Sequence, residues 1–246
     1  IERAGIPASK VSIVRNGPDI SKMKPVAPDP KVRAKASIML GYLGVIGQQD
    51  GVDYLIRSLE HIVKELGITD IHAVIMGSGS AVPSLKKLTA KLELEQYISF
   101  TGSIPYNDLP RYVSACDICI DPDPYNPYND RSTMVKMMDY MAMAKPIVAF
   151  DLTEHRASAG QAALYSIRND IHDFAKTIVD LIENPELQKT MGEIGRQRMI
   201  DKFAWHHQET QLLKAYSNIG FEALPKTSPA NSFPPNTSST TELVSK

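Results

Sequence analysis

The chain has 246 residues, 43% of them hydrophobic and 22% charged, a composition typical of a globular protein with a sizeable core. Its 27 Lys and Arg residues nearly balance 28 Asp and Glu residues, and the formal net charge of −1 excludes a bulk electrostatic attraction to nucleic acid. No apolar run reaches the roughly 18 residues that a membrane-spanning helix needs, and no signal peptide is recognisable, so we expect a cytoplasmic protein.

The first part of the chain predicts one short strand followed by irregular structure. Residues 11–14 have the apolar character of a strand, and Asn16 with Gly17 predicts a turn after it. Residues 21–35 are rich in Pro and Lys, which favours irregular structure. The first strand of a central sheet follows at Ile38–Leu43.

A glycine turn and a long amphipathic helix come after this strand. Gly44 and Gly47 permit a tight turn and the close approach of a ligand to the backbone. Apolar residues then recur at helical spacing at Val52, Leu55, Ile56, Leu59, Ile62, Val63 and Leu66. Strand, turn and helix together favour a loose phosphate cradle. A plain strand-to-helix turn fits the same two glycines equally well.

Two further strands are predicted at residues 72–76 and 97–100, with helices at 82–92 and 107–115 after them. We expect Asn107 to cap the second of these helices. Small residues that favour turns follow the strands at Gly77, Gly79, Thr101 and Gly102.

Residues 121–151 carry the most informative pattern. A strand at 117–120 leads into the loop DPDPYNPYND, whose prolines and asparagines forbid regular structure. Ser132 and Thr133 are candidate N-caps of a helix at 134–144, which ends before the strand IVAF. A polar loop and a helix N-terminus thus lie at the carboxyl end of a strand, where open α/β sheets bind ligands and where phosphates are favoured. The alternative is an ordinary crossover with a long loop.

The remaining sequence predicts a loop at 152–161, a strand at 162–165, and helices at 171–183, 186–203 and 205–216. Glu154, His155 and Arg156 in the predicted loop have the chemistry of an acid, a base and a phosphate ligand, although a loop histidine is usually solvated.

Cys116 and Cys119 form a C-x-x-C motif, which could be a redox pair or half of a zinc site. We interpret it as core packing, because the two cysteines lie where a helix runs into a strand and the sequence contains no second pair. Unpaired thiols fit a reducing compartment.

Strands alternating with helices predict parallel βαβ units. The predicted fold class is therefore α/β, with a Rossmann-like parallel sheet and helices on both faces.

Residues 139–148, DYMAMAKPIV, resemble the E-A/Y-M-A-x-G-x-P-V-V signature of family 4 glycosyltransferases, and residues 132–136, STMVK, resemble the S-T-x-x-K of a bacterial branch of that family. The resemblance extends over residues 6–219. It implies the carboxyl-terminal, donor-binding half of a GT-B fold, in a chain that begins at the interdomain linker. We expect a linker with the first strand at 1–20, a Rossmann-like domain at 21–220 and a disordered tail at 221–246.

The activity that the resemblance implies is retaining transfer of a sugar from a nucleotide-diphosphate sugar to an acceptor in glycan biosynthesis, without a metal or other cofactor. A saccharide or lipid-linked acceptor would be held by an amino-terminal domain, and the full enzyme could associate peripherally with a membrane. The alternative is a binding module or subunit without turnover of its own.

The resemblance also assigns the site residues. Asp139 takes the position of the Glu that holds the donor ribose, since a carboxylate accepts two hydrogen bonds from a diol. Lys136 would neutralise the departing diphosphate as a catalytic group, unless it is only a surface lysine. The loops after the second and third strands flank the base in this family. The predicted donor-binding residues are Gly44, Gly47, Gln48, Gly77, Gly79, Thr101, Gly102, Asp130, Ser132 and Thr133. Val45 and Asp50 depart from the family, which often carries an Arg and a Lys there.

Overall fold

The computed structural model describes residues 5–221. Its strands are β1 (Ile38–Leu43), β2 (Ile71–Met76), β3 (Ile98–Gly102), β4 (Ile118–Asp121), β5 (Ile147–Phe150) and β6 (Ala163–Ser166). Its α-helices are α1 (Pro30–Arg33), α2 (Val52–Lys64), α3 (Val82–Lys91), α4 (Leu109–Ser114), α5 (Val135–Ala142), α6 (Thr153–Ala159), α7 (Ile171–Ile182), α8 (Pro185–Arg198) and α9 (Trp205–Ser217). A π-helical turn at Met199–Phe203 extends α8.

The six strands form one fully parallel sheet in the order β3-β2-β1-β4-β5-β6. The order reverses direction between β1 and β4, where Leu40 lies opposite Ile118. The chain leaves the carboxyl ends of β1 and β4 toward opposite faces of such a sheet, so a crevice opens between their loops. The predicted Rossmann-like sheet is confirmed, and its switch point lies at β1 and β4.

Helices cover both faces of the sheet because its strands are apolar on both sides. Successive side chains of β1 alternate between two cores, so that Leu40 packs with α2 and α7 whereas Met39 packs with α4 and α5. Each buried Leu or Ile side chain contributes about 1.5–3 kcal/mol relative to an exposed one. None of the helices within residues 5–221 is long and apolar enough to cross a membrane.

The predicted strand at residues 11–14 is wrong. These residues lie in extended chain without strand partners, and Ile13 is 73% exposed. The segment instead runs beside α9, where the backbone N–H of Arg15 donates to Gln208 Oε1. The predicted tail lies outside the described residues, apart from Phe221.

The predicted loop at residues 152–161 is also wrong, since it contains α6. The side chain of Asp130 accepts hydrogen bonds from the backbone N–H and the hydroxyl of Thr153, which fixes the start of this helix. His155 and Ala159 are buried one turn apart on its inner face. The helix before β4 is shorter than predicted, and no side chain caps it: its N-cap position is Asp108 rather than Asn107.

The two cysteines are buried and unpaired in the core beneath β4. Burial raises the pKa of Cys116 to about 12, so this thiol is unreactive near neutral pH. Core packing is therefore the confirmed interpretation of the C-x-x-C motif.

Candidate functional site

One wall of the crevice consists of backbone from the loops after β1, β2 and β3. Gly44 N donates to Met76 O, Ile46 N donates to Ser78 O, and Ala81 N donates back to Ile46 O, each at 3.0 Å. These bonds join the loop after β1 to the loop after β2. Glycine is required where they cross, because a side chain at Gly77, whose φ is +139°, would overlap the carbonyl oxygen of Gly44.

A cavity of about 210 Å³ opens beside this wall. It is lined by Leu43, Gly44, Val45, Gly77, Ser78, Ser103, Ile104 and Leu109. Two predicted donor-binding residues, Gly44 and Gly77, thus lie together in the crevice. Thr101 does not line the cavity, because its hydroxyl donates to Gly102 O at 2.8 Å.

The remaining glycines near the crevice act in loop packing. A side chain at Gly79 would overlap Ile46 O, so this residue brings the second loop against the first. Gly102, with a φ of +72°, pairs with Gly77 at the sheet edge and has open space around its Cα. Neither residue lines the cavity.

The turn after β1 is closed by its own acidic residue. Gly47 N donates to Asp50 Oδ2 at 2.8 Å, so the departure from the family's Lys has a structural task here. Gln48 is exposed and makes no side-chain hydrogen bond within residues 5–221. Gly51, at a φ of +62°, lies against the carbonyl of Pro122 in the loop after β4. The loops of β1 and β4 are therefore in direct contact.

The other wall of the crevice is built by α5. Tyr140 spans the switch point: its hydroxyl accepts from Leu43 N at 2.8 Å and donates to Ile120 O at 3.2 Å. Lys136 passes beneath Gly44, where an added Cβ would lie 3.5 Å from Lys136 Cε. The predicted meeting of the β1 turn and the α5 start is thus observed in the structure.

Lys136 does not present a free charge to the crevice, nor is it a surface lysine. Its side chain is only 8% exposed. Its Nζ donates to Asp123 Oδ2 at 2.6 Å and to Asp121 Oδ1 at 3.3 Å, and lies 5.5 Å from the Tyr42 ring centroid. Burial alone would lower the pKa of Lys136, but the two carboxylates raise it above its ordinary value. The ammonium group is therefore permanently charged and paired.

His155 completes this buried group, so the expectation of a solvated histidine is wrong. The ring is fully buried, and its Nδ1 lies 2.9 Å from Phe150 O. Its Nε2 faces Asp121 Oδ2 at 3.7 Å, too far for a good hydrogen bond. We call Asp121, Asp123, Lys136 and His155 the buried charge cluster.

Two members of the cluster, Asp121 and Asp123, were not among the predicted site residues. The signal that could have identified them is a pair of acidic residues at the end of an apolar strand, with a lysine at the start of the next helix. Burial opposes ionisation of Asp121, yet Lys136 and His155 lower its pKa. Burial, followed by the charge of Asp121, raises the pKa of Asp123 to about 8.

Asp139 lies apart from the cluster. It forms no ion pair with Lys136, and in residues 5–221 it makes no side-chain hydrogen bond or ion pair. Burial raises the pKa of Asp139 to about 7. After burial itself, the charge of Asp139 is the main influence that raises the pKa of Tyr106, so this carboxyl faces the loop before α4.

Ser132 and Thr133 do not cap α5, contrary to prediction. Ser132 Oγ donates to Tyr128 O at 2.8 Å, and Thr133 Oγ1 donates to Glu154 Oε1 at 2.9 Å. The N-cap position is Met134, and no described side chain bonds to the start of the helix. Asp130 is likewise engaged in capping α6. The uncapped α5 start therefore keeps backbone N–H groups for another partner.

The two charged residues that flank His155 on α6, Glu154 and Arg156, form ion pairs outside the cavity. Glu154 accepts from Arg15 Nη1 as well as from Thr133. Arg156 forms a two-point ion pair with Asp151, which lies directly after β5.

A doubly wound parallel sheet with a polar crevice at its switch point is the architecture of a class of α/β proteins that bind nucleotides. Within that class, residues 37–184 match the family model described as Glycosyl transferases group 1. The match covers more than half of the chain, so the chain belongs to this family.

The comparisons with individual proteins agree with this assignment. An uncharacterized glycosyltransferase of Methanocaldococcus jannaschii is 24% identical over 213 residues, which are 85% of this chain and 53% of that protein. HepE of Anabaena, solved in complex with UDP-glucose, superimposes with a TM-score of 0.71 at 19% identity, over 88% of this chain and 60% of HepE. The chain spans about half the length of the curated relatives it matches.

A third comparison concerns a single domain. The carboxyl-terminal domain of a group 1 glycosyl transferase from Francisella tularensis superimposes with a TM-score of 0.62 at 16% identity. The superposition covers 99% of that domain and 76% of this chain. These likenesses confirm the predicted fold class, one Rossmann-like half of a GT-B fold.

Proposed function

We propose that this chain is the donor-binding half of a retaining glycosyltransferase that takes its sugar from a nucleoside-diphosphate sugar. The observation that carries this proposal is the meeting of the glycine turn after β1 with the uncapped start of α5 at the switch point of the sheet. In the turn the N–H groups of Gly44, Ile46 and Gly47 are already bonded within residues 5–221, which leaves those of Val45 and Gln48 for an anion, and the uncapped start of α5 leaves its own. Both elements also precede a helix whose dipole favours an anion. The complex of HepE with UDP-glucose supports this choice of donor.

In this proposal the diphosphate lies between residues 44–48 and the start of α5, with the base toward the cavity after β2 and β3. Lys136 lies directly beneath and contributes positive charge, although its two carboxylate partners reduce that contribution. Asp139 would hold the ribose. We also assign the chain to the bacterial branch whose S-T-x-x-K motif residues 132–136 resemble.

The acceptor would be held by a second half of the enzyme, which is where we place a saccharide or lipid-linked acceptor. The chain aligns with about half the length of the relative from Methanocaldococcus jannaschii. It also superimposes on nearly the whole of a carboxyl-terminal domain that was solved alone. We therefore assign residues 21–220 to the donor domain and residues 1–20 to the linker. Sugar transfer by the purified 246-residue chain alone would contradict this division.

One observation favours a second candidate, a binding module that holds a nucleotide sugar without turning it over. The positions of the family's Arg and Lys carry Val45 and Asp50, and Lys136 is already neutralised by two carboxylates. If the chain together with a separately supplied acceptor half binds UDP-glucose but releases no UDP, this candidate replaces the first.

The donor crevice can be tested at Val45, which lines the cavity and is 68% exposed. A charge placed there alters the crevice without altering the core. Calorimetric titration with UDP should show Val45→Arg binding more tightly and Val45→Asp more weakly, each by about fivefold, since an exposed charge at this range is worth about 1 kcal/mol.

The matched control is Leu66→Arg. Leu66 is 45% exposed and follows the far end of α2, at the opposite edge of the sheet. This variant should bind UDP like the wild type. GDP and ADP titrated in parallel identify the base. A chain that binds none of the three nucleotides contradicts the proposed function.

A further inference from the structure

The buried charge cluster contains polar atoms that its hydrogen bonds and ion pairs leave without a partner. Three of its polar atoms, Asp121 Oδ2, Asp123 Oδ1 and His155 Nε2, are buried without a hydrogen-bond partner among residues 5–221. Buried polar groups are nearly always bonded, so three such atoms in one place indicate that the cluster binds something more.

The orientation of the His155 ring shows where a hydrogen-bond donor is missing. Phe150 O can only accept, so His155 Nδ1 carries a hydrogen and donates to it. A neutral ring would then point the lone pair of Nε2 at Asp121 Oδ2, 3.7 Å away, with two acceptors facing each other. A proton on one of these atoms, or a hydrogen-bond donor or cation between them, would remove this unfavourable contact.

Counting charges favours a proton over a divalent cation. Two carboxylates and the ammonium group of Lys136 sum to −1 when His155 is neutral. One proton brings the sum to zero. A divalent cation would bring it to +1, next to an ammonium group, at carboxylates that are 0% and 1% exposed. The ligand atoms of Asp121, Asp123 and His155 do lie within 4.8 Å of one another, but on this charge balance we do not assign them to a metal.

We propose that Asp121 and Asp123, which face the buried ring of His155, hold one proton between them at neutral pH, and that this proton sets the charge beneath the donor crevice. The proton is shared as in other closely paired carboxylates, where two like charges cannot both ionise freely. Burial and the charge of Asp121 raise the pKa of Asp123 to about 8, so the carboxyl pair keeps this proton at neutral pH.

Within residues 5–221, the surroundings offer no other source for the missing positive charge. The remaining titratable or charged groups that face the cluster are Tyr42 on β1, Asp50 in the β1 turn, Tyr140 on α5, whose hydroxyl donates to Ile120 O, Asp151 after β5 and Arg156 on α6. Tyr42 donates its hydroxyl hydrogen to Val45 O at 2.7 Å, and Arg156 is paired with Asp151.

The consequence for ligand binding rests on the proposed function. If a diphosphate lies above Gly44, loss of the shared proton adds a negative charge below it, and the affinity falls as the pH rises past about 8. By linkage, binding of the diphosphate must then draw a proton into the cluster. Asp123 and His155 thus act as positioning residues that fix the charge state around Lys136.

The first experiment needs no ligand. Carboxyl-labelled Asp and ring-labelled His in the 246-residue chain, treated with EDTA, are followed by NMR from pH 5 to 9, with Asp121→Asn, Asp123→Asn and His155→Gln for assignment. We expect one proton on the Asp121–Asp123 pair to persist through pH 7 and to leave near pH 8. If both carboxyl groups are already ionised at pH 7, the proposal is overturned.

His72 is the matched control, because it is also buried and both of its ring nitrogens are bonded, to Gln96 O and Ser99 Oγ. Burial and the nearby Lys35 lower the pKa of His72, so this ring should stay neutral above pH 7.

Mn²⁺ and Zn²⁺, each added alone to the chelated protein, should not raise the melting temperature of the protein. A stabilisation that Asp123→Asn abolishes would establish a metal site and overturn the proton assignment.

The second experiment measures how UDP binding is coupled to proton uptake. UDP is titrated calorimetrically in two buffers of different ionisation enthalpy, at pH 7.5 to 8.5. The wild type should take up a fraction of a proton on binding, and its affinity should fall several-fold across this range. Asp123→Asn, which mimics the protonated carboxyl, should do neither. UDP binding without proton uptake would refute the coupling, whereas no UDP binding at all would refute the proposed function and leave the NMR result to decide the protonation.

Discussion

The two walls of the crevice are built on different physical principles. The loops after β1, β2 and β3 are held by backbone hydrogen bonds and by glycines that let main chains touch. The loop after β4 and the start of α5 are held by ionised side chains buried around Lys136. The first wall depends on shape and should be indifferent to pH, whereas the second depends on charge and should not be.

The difference shows what each wall contributes. Backbone N–H groups give a fixed surface that suits a diphosphate whatever its charge state. The buried cluster gives a charge that can change by one unit without moving the chain. A site composed of both can hold its shape while its electrostatics vary.

The largest effect should come from removing the ammonium group of the charged wall. Lys136→Met keeps the aliphatic length but leaves Asp121 and Asp123 without their cation, so we expect a loss of about 3–5 kcal/mol in the free energy of unfolding. Urea denaturation at pH 7 measures it. Lys64→Met, which breaks the exposed pair with Glu60, should cost only a few tenths of a kcal/mol. Equal losses in the two variants would mean that the cluster is not a true buried network.

The same contrast explains what the sequence could and could not predict. Strands β1 and β5 were found at their observed bounds, because a buried parallel strand is a short apolar run whose signal is local. The glycine turns were found because glycine itself marks them. Helix α6 was missed because its start is fixed by Asp130, 23 residues earlier in the chain.

The cluster was missed for a similar reason. Asp121 and Lys136 are 15 residues apart, and only the packing of α5 against the end of β4 brings them together. The motif around Lys136 predicted its place in the fold but not the two carboxylates that pair with its charge.

A second effect should appear in the pH dependence of stability. Burial raises the pKa of Asp123 to about 8 and that of Asp139 to about 7, whereas an aspartate in the unfolded chain titrates near 4. The stabilising difference is complete below about pH 4 and is lost as the pH rises through 7 to 8. The free energy of unfolding should therefore fall over this interval, as measured by denaturation at each pH.

Substitutions separate the contributions to this fall. Asp123→Asn and Asp139→Asn should each flatten the curve, because an amide imitates the protonated carboxyl. Asp70→Asn is the control: hydrogen bonds from Ser37 lower the pKa of this exposed carboxyl, so the variant should leave the fall between pH 4 and 8 unchanged. If the Asp123→Asn and Asp139→Asn variants both gave curves with the wild-type slope, the raised pKa values of these two residues would be disproved.

The third effect concerns the ribose. Asp139→Ala should weaken UDP by about ten- to hundredfold, the worth of a charge-assisted hydrogen bond of about 1.5–3 kcal/mol, and should leave pyrophosphate binding unchanged. Calorimetric titration with the two ligands separates the roles, because pyrophosphate has no diol. Should UDP bind as tightly as to the wild type, the ribose lies away from Asp139, and this carboxyl belongs to the architecture of α5 only.

The smallest effect tests the backbone wall. Gly77→Ala places a methyl group onto Gly44 O at a φ of +139°, so it incurs both backbone strain and a collision. Gly67→Ala has a φ of +72° and nothing within 4 Å, so it incurs strain alone, about 1 kcal/mol. Urea denaturation should show Gly77→Ala to be the less stable by a further 1–2 kcal/mol or so, the usual cost of an overpacked contact. That excess should be the same at pH 6 and pH 9, because no titratable group takes part in the contact. An excess that changes with pH would mean that the two walls are coupled through Gly44, which touches both Gly77 and Lys136.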